Sequence, residues 1–260
     1  MNNIYTGKTV LVTGGAKGIG REISLLYGQA GCNLVISGRD LKALEQTAQK
    51  FRKNKIPVRI VKGDVTNIED CKNLIEKTIE TFGQLDILIN NAGMSMRGLF
   101  ENTNLQLFHK IIDINFSGAV NMTKFALPFL KDSRGSVVFI SSISGLKGLP
   151  GIAPYSVAKM ALKGFSESLR SELYKRIHIG IIYVSFTEND SNKMIYSQNG
   201  ELIPLDRDKN SSTQNDVARS VINMTTKRKR QIVMTPGGKL ANFFFTVFPS
   251  LTERLIISFS

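Results

Sequence analysis

Short runs of apolar, largely β-branched residues recur along this chain, each separated from the next by a longer segment with helical periodicity. The runs are Thr9–Val12, Asn33–Ser37, Val58–Val61, Leu85–Ile89, Ser136–Ile140 and His178–Val184. Near-continuous apolarity suits strands buried on both faces, because a strand with one wet face alternates instead. The intervening segments, about residues 18–29, 40–53, 68–81, 104–131 and 155–175, supply the helices that cover the sheet. The expected fold is α/β: a doubly wound parallel β-sheet flanked by helices.

Beyond the sixth run the pattern lapses. Residues 186–213 are rich in Glu, Asn, Asp, Ser, Lys and Gly, and read as an insert or lid over the carboxyl edge of the sheet. A helix near 214–226, the basic tetrad Lys227–Arg230 and a strand-like 231–234 follow. Residues 1–235 thus form one α/β domain, and 236–260 an apolar C-terminal extension of it.

At 260 residues the chain is long enough for one full core. Its formal charge of +13 favours phosphate groups, anionic membrane surfaces or nucleic acid as partners. Nucleic acid is disfavoured, since no recognition motif is present and no aromatic residues interleave the tetrad. Cys32 and Cys71 have no CxxC spacing, and His109 and His178 do not complete a ligand set, so no metal site is expected. No cationic segment followed by an apolar one opens the chain, and no run reaches the roughly 18 apolar residues of a spanning helix. A reducing, cytoplasmic location is the expectation.

Chemistry enters at the first turn, Thr13-Gly-Gly-Ala-Lys-Gly-Ile-Gly20, which lies between a strand and a helix. Glycines at 14, 18 and 20 allow a tight turn, close approach by a pyrophosphate, and close packing of helix on strand. The second strand ends Ile36-Ser-Gly-Arg-Asp40 and lacks the carboxylate that would bind a ribose 2′-hydroxyl. Arg39 and Lys17 instead favour a 2′-phosphate, hence NADP(H), with Asp40 the dissenting carboxylate. Downstream, the four-residue spacing of Tyr155 and Lys159 puts phenol and ammonium on one helix face. A nearby cation favours phenolate, making the tyrosine a usable acid or base. Ser142, at the end of a strand, can hydrogen-bond a substrate carbonyl.

These motifs, with Asn90-Asn-Ala-Gly93, Asn115 and Tyr155-Ser-Val-Ala-Lys159, resemble the short-chain dehydrogenase/reductase family over roughly residues 7–185. The resemblance implies a Rossmann-like fold and a catalytic set of Asn115, Ser142, Tyr155 and Lys159. Tyr155 would be the general acid in reduction. Lys159 would tune it and hold the nicotinamide ribose, Ser142 would polarise the carbonyl, and Asn115 would anchor a proton-relay water. Gly14, Gly18, Ile19 and Gly20 would cradle the pyrophosphate, Asp64 and Val65 would meet the adenine, and Asn91, Ala92 and Gly93 would line the cofactor strand. Where the family usually carries Pro-Gly, this chain has Phe186-Thr187, with Ser191 left to supply the hydroxyl near the nicotinamide.

The strand end, Met94–Gly98 and the C-terminal extension look most like the lipid- and steroid-ketone reductase branch. The expected activity is NADPH-dependent reduction of a lipid-like ketone to a secondary alcohol. The alternatives are a soluble 3-oxoacyl-carrier-protein reductase and a non-catalytic NADP-binding regulator. The tail from Leu240 to Ser260, which includes Phe243–Phe245 and Phe259, either packs on the core or a second protomer, or lies in a membrane interface. The family implies a homodimer or homotetramer built through the long helices at 104–131 and 155–175.

Overall fold

A computed structural model describes residues 3–191, 193–205 and 212–258. Residues 206–211 and Asn192 of the expected lid, and Phe259 and Ser260 of the tail, lie outside the described residues. Seven parallel strands form the central sheet: β1 (Thr9–Thr13), β2 (Asn33–Gly38), β3 (Val58–Lys62), β4 (Ile87–Asn90), β6 (Ser136–Ser142), β7 (His178–Val184) and β10 (Gln231–Val233). Their spatial order is β10-β7-β6-β4-β1-β2-β3, with the reversal of direction between β1 and β4. β5 (Met96–Arg97), β8 (Met194–Ser197) and β9 (Leu202–Pro204) form a second, small sheet.

The covers are α1 (Gly18–Gln29), α2 (Leu41–Lys53) and α7 (Gln214–Thr226) on one face, and α3 (Ile68–Phe82), α5 (Gly118–Asp132) and α6 (Ala153–Glu172) on the other. Strand residues alternate between two cores. Val10 and Val12 pack with Ile23 and Val221, whereas Leu11 packs with Leu74, Met122 and Leu162. Both sides of β1 are apolar because both are buried, as the unbroken runs require.

The expected helix over 104–131 divides into α4 (Leu105–Ile112), a π-turn (Asp113–Ser117) and α5. The cause is local. The Asn115 side-chain amide donates to the Ile111 carbonyl at 2.8 Å, taking the acceptor that the backbone N–H of residue 115 would use in an unbroken α-helix. The expected insert at 186–213 also differs from a patternless lid, because it contains β8 and β9. Tyr196 pairs with Met96, a hundred residues earlier, on one side and with Leu202, across a short antiparallel hairpin, on the other.

Four helices stop on a basic residue in the left-handed region: α2 at Lys55, α5 at Arg134, α6 at Lys175 and α7 at Arg228. All four lie at the amino edge of the sheet. The tetrad Lys227–Arg230 belongs to that edge too, since it leads into β10. The tail begins at the opposite end of β10 as α8 (Pro236–Val247) and α9 (Pro249–Ser258), bent by 120°. Among the described residues no single helix is long and apolar enough to cross a membrane.

Candidate active site

The turn from β1 into α1 holds Gly14 at φ +64° and Gly18 at φ +53°, values that side chains with a Cβ rarely adopt. Asn91 ties this turn to the sheet: its Nδ2 donates to the carbonyls of Thr13 (2.9 Å) and Gly14 (3.2 Å). Thr13 Oγ1 accepts in return from the backbone N–H groups of Asn91 and Ala92, each at 3.0 Å. A Cβ on Gly20 would lie 2.2 Å from the Gly14 carbonyl oxygen, so α1 sits directly on the turn. Lys17, at the helix N-cap, makes no side-chain cap. No N-cap side chain takes the first amides of α1, the Gly18 N–H donating instead to Asp190 Oδ2 at 3.0 Å, and the cradle fits the pyrophosphate of a dinucleotide.

At the tip of β2, Lys17 Nζ lies 2.6 Å from Asp40 Oδ2, and Arg39 lies 3.7 Å from Asp64. Asp40 is the N-cap of α2, accepting from the Ala43 N–H at 3.0 Å. The Lys17 ammonium, with that amide, holds its carboxyl below the usual range. Asp40 is thus committed to capping, and the two cations stay exposed at the carboxyl edge. Asp64 also accepts from Thr66, and Val65 follows it half-buried.

The four catalytic candidates come from three elements. Ser142 ends β6, Tyr155 lies in the first turn of α6, Lys159 one turn later, and Asn115 in the π-turn. Lys159 Nζ donates to the Ile140 carbonyl at 2.9 Å and stands 5.5 Å from the centre of the Tyr155 ring. Ser141 Oγ donates to the Lys159 carbonyl, and Gly145 is so close beneath α6 that a Cβ there would lie 2.7 Å from that oxygen. The buried amine is lowered to about 8, first by desolvation and then by the charge of Lys193. Asn115 Nδ2 donates to the Met94 carbonyl at 2.8 Å as well as to Ile111. A Cβ on Gly93 would lie 2.8 Å from Asn115 Oδ1 and 3.5 Å from Lys159 Nζ, so Gly93 leaves open the space between them. Tyr155 rests on a small core of Met96, Leu107, Ile111 and Tyr196.

Not every expected residue gathers here. Ser191 is exposed, while Thr187 is buried, bonded to Ser212 Oγ at 2.9 Å and to the Ser185 carbonyl. The residue that sequence reasoning missed is Asp190. Its carboxylate reaches back to the glycine turn, accepting from the Gly18 N–H at 3.0 Å and from Arg21 at 3.3 Å. An isolated acid in a polar stretch of a basic chain was its only sequence signal.

A glycine cradle at the reversal point of a parallel sheet, beside a Ser, Tyr and Lys group, defines a dinucleotide-dependent oxidoreductase. The short chain dehydrogenase model matches residues 8–200, and the chain belongs to that family. It is similar to a dehydrogenase/reductase SDR family protein 7-like of Dictyostelium discoideum, with 33% identity over 98% of this chain and 83% of that protein. An 11-beta-hydroxysteroid dehydrogenase A of Sesamum indicum shares 35% identity over 95% of this chain and 74% of its own length. In fold it matches a short chain dehydrogenase/reductase of Burkholderia phymatum solved with NAD, with a TM-score of 0.85, 20% identity and 97% of each chain covered. The chain is accordingly an oxidoreductase of the CH–OH/C=O couple that uses a nicotinamide cofactor.

Proposed function

We propose that this oxidoreductase uses NADPH to reduce a lipid-like ketone to a secondary alcohol. The observation that carries the substrate class is an apolar cavity of about 490 Å³ beside the Ser142 turn. Ile143, Leu146, Leu149, Phe186, Ala241 and Phe245 line it. Leu149, Phe186, Ala241 and Phe245 continue into a second cavity of about 650 Å³ between α8 and α9. A long apolar body fits this path, and a polar one leaves its hydrogen bonds unmade. The tail is therefore part of the substrate wall.

Gly14, Gly18, Ile19 and Gly20 would hold the pyrophosphate of the cofactor, Asn91, Ala92 and Gly93 would line its strand side, and Asp64 with Val65 would bind the adenine. Arg39 and Lys17 favour a 2′-phosphate. The bound nicotinamide supplies a hydride. Ser142 Oγ donates to the carbonyl oxygen and holds it as charge develops, and the Tyr155 hydroxyl delivers the proton to that oxygen. Lys159, as ammonium, stabilises the phenolate left behind. Asn115 holds the carbonyl of Met94 and the break in its own helix, keeping the floor of the site fixed.

Exposed Val157 and Met160 on α6 support a homo-oligomer formed across that helix. Exposed Leu240, Phe243, Val247, Leu251 and Ile257 support peripheral contact of α8 and α9 with a lipid surface in the cytoplasm.

A series of ketones of increasing chain length, each assayed with NADPH and NADH, tests the reading. KM should fall as the chain lengthens, and NADPH should be preferred. Arg39→Ala should weaken NADPH by about tenfold or more, from loss of a charge-assisted hydrogen bond, and leave NADH nearly unchanged. Equal use of both cofactors, or a preference for short polar ketones, would overturn it.

A further inference from the structure

The connection from β7 to α7 reaches across the carboxyl edge and puts a negative charge on the glycine turn. Asp190 Oδ2 accepts from the Gly18 N–H at 3.0 Å, and Oδ1 accepts from Arg21 at 3.3 Å and from Gln214 Nε2 at 3.1 Å. The segment is tied down on both sides of that carboxylate. Glu188 donates from its backbone N–H to the Ser212 carbonyl and accepts from the Gln214 N–H, each at 3.0 Å, and the Asp190 carbonyl accepts from Lys193. Burial opposes the charge on Asp190, but the bonds from Gln214, Gly18 and Arg21 outweigh it and hold the carboxyl below its ordinary range. The group stays ionised at neutral pH.

We propose that Asp190 is a built-in competitor of the cofactor: its carboxylate occupies the anion cradle of α1, and binding of the dinucleotide must expel it. The inference rests on reading the glycine turn as the pyrophosphate cradle. Two anions cannot share one set of donors, since like charges at such range each disfavour the other's ionised form. Of the donors that Asp190 holds, the Gly18 amide and the Arg21 guanidinium belong to the first turn of α1, where a pyrophosphate gains most from free amides and the helix dipole. Expulsion also acts on the catalytic tyrosine. The same segment continues into β8, whose Tyr196 packs in the small core against which Tyr155 rests. Cofactor entry is thereby coupled to the floor beneath the proton donor.

Binding of NADPH and of NADH to the full chain, measured by calorimetry for wild type, Asp190→Asn and Asp190→Ala, tests this. Both variants should bind both cofactors about tenfold more tightly, equivalent to about 1.4 kcal/mol, and by the same factor, because the pyrophosphate is common to both. Gln214→Met, which removes one bond to the carboxylate without touching the cradle, should shift both affinities the same way by a smaller factor. It decides the matter if the Asp190 variants do not fold. Unchanged or weaker binding in the folded variants would overturn the proposal. A shift confined to NADPH would also overturn it, by placing Asp190 at the 2′-phosphate. Absence of saturable binding to wild type would bring it down together with the cradle reading, and that result is distinct from equal binding by all variants.

Discussion

The glycine turn at the carboxyl edge of the central sheet and four turns at its amino edge solve one geometric problem in opposite ways. Between β1 and α1 the chain passes through the left-handed region with glycine, at Gly14 and Gly18; at the amino edge, beside glycines at 7, 31 and 83, four turns do so with Lys55, Arg134, Lys175 and Arg228. A Cβ in the left-handed region costs roughly 1–2 kcal/mol. Where a ligand must approach the backbone the side chain is given up. At these four amino-edge turns the side chain is kept and its charge lies near the negative ends of four helices, whereas α3 ends on glycine, at Gly83. The difference teaches that strain is tolerated at the structural edge for charge, and that space is reserved at the working edge for chemistry.

The largest test breaks the working edge alone. Tyr155→Phe removes one hydroxyl and leaves the ring on its small core, so carbonyl reduction should fall by at least 10²-fold while calorimetric cofactor affinity is retained. Turnover near the wild-type level would move the chemistry elsewhere. A second test compares stability with function. Folding holds the Lys159 amine at about 8 rather than 10.5. The unfolded chain binds this proton more readily, so the cost is fully present below pH 8 and is relieved as pH rises from about 8 to 10.5. Lys159→Met should therefore abolish activity yet stabilise the protein by about 2 kcal/mol at pH 7, after allowing for the lost bond to Ile140. The gain should fade towards pH 10.5 in denaturant titrations, and a variant destabilised at pH 7 would contradict this account. The smallest effect belongs to the amino edge. Arg134→Gly should stabilise by about 0.5–1 kcal/mol, relieving the left-handed backbone, with kcat unchanged. A loss of stability would show that the arginine charge outweighs the strain.

The central sheet was legible because burial on both faces leaves an unbroken apolar signature. Thr9–Val12, Ser136–Ile140 and His178–Val184 fall within β1, β6 and β7. The glycine turn was legible because few residues other than glycine tolerate its dihedral angles and its closeness to α1. The break at Asn115 was not, since it depends on a side-chain amide winning one carbonyl from the backbone, and the flanking apolar pattern runs straight through it. β8 and β9 were hidden for a different reason: a strand of four residues carries too short an alternation, and its partner Met96 is far away in sequence. Ser191 was expected at the site because a hydroxyl was sought in that stretch. The group that reaches the glycine turn is the neighbouring carboxylate, whose partners lie on α1 and α7 and appear only once those helices are packed side by side.

The shortest strand of the main sheet has a mechanical consequence. β10 spans three residues, about 10 Å of extended chain, and sets the Lys227–Arg230 tetrad at one end and the start of α8 at the other. That separation matches the Debye length near 0.1 M salt, so charge at one end is felt only in part at a surface touching the other. On the lipid contact proposed above, an oily, negatively charged bilayer would exert a torque on this molecule rather than a single pull. Headgroup charge would draw the basic end down, and hydrocarbon would draw down α8 and α9. Ionic strength would then select the orientation: salt would weaken the first pull and leave the second, turning the open side of the apolar cavity towards the lipid.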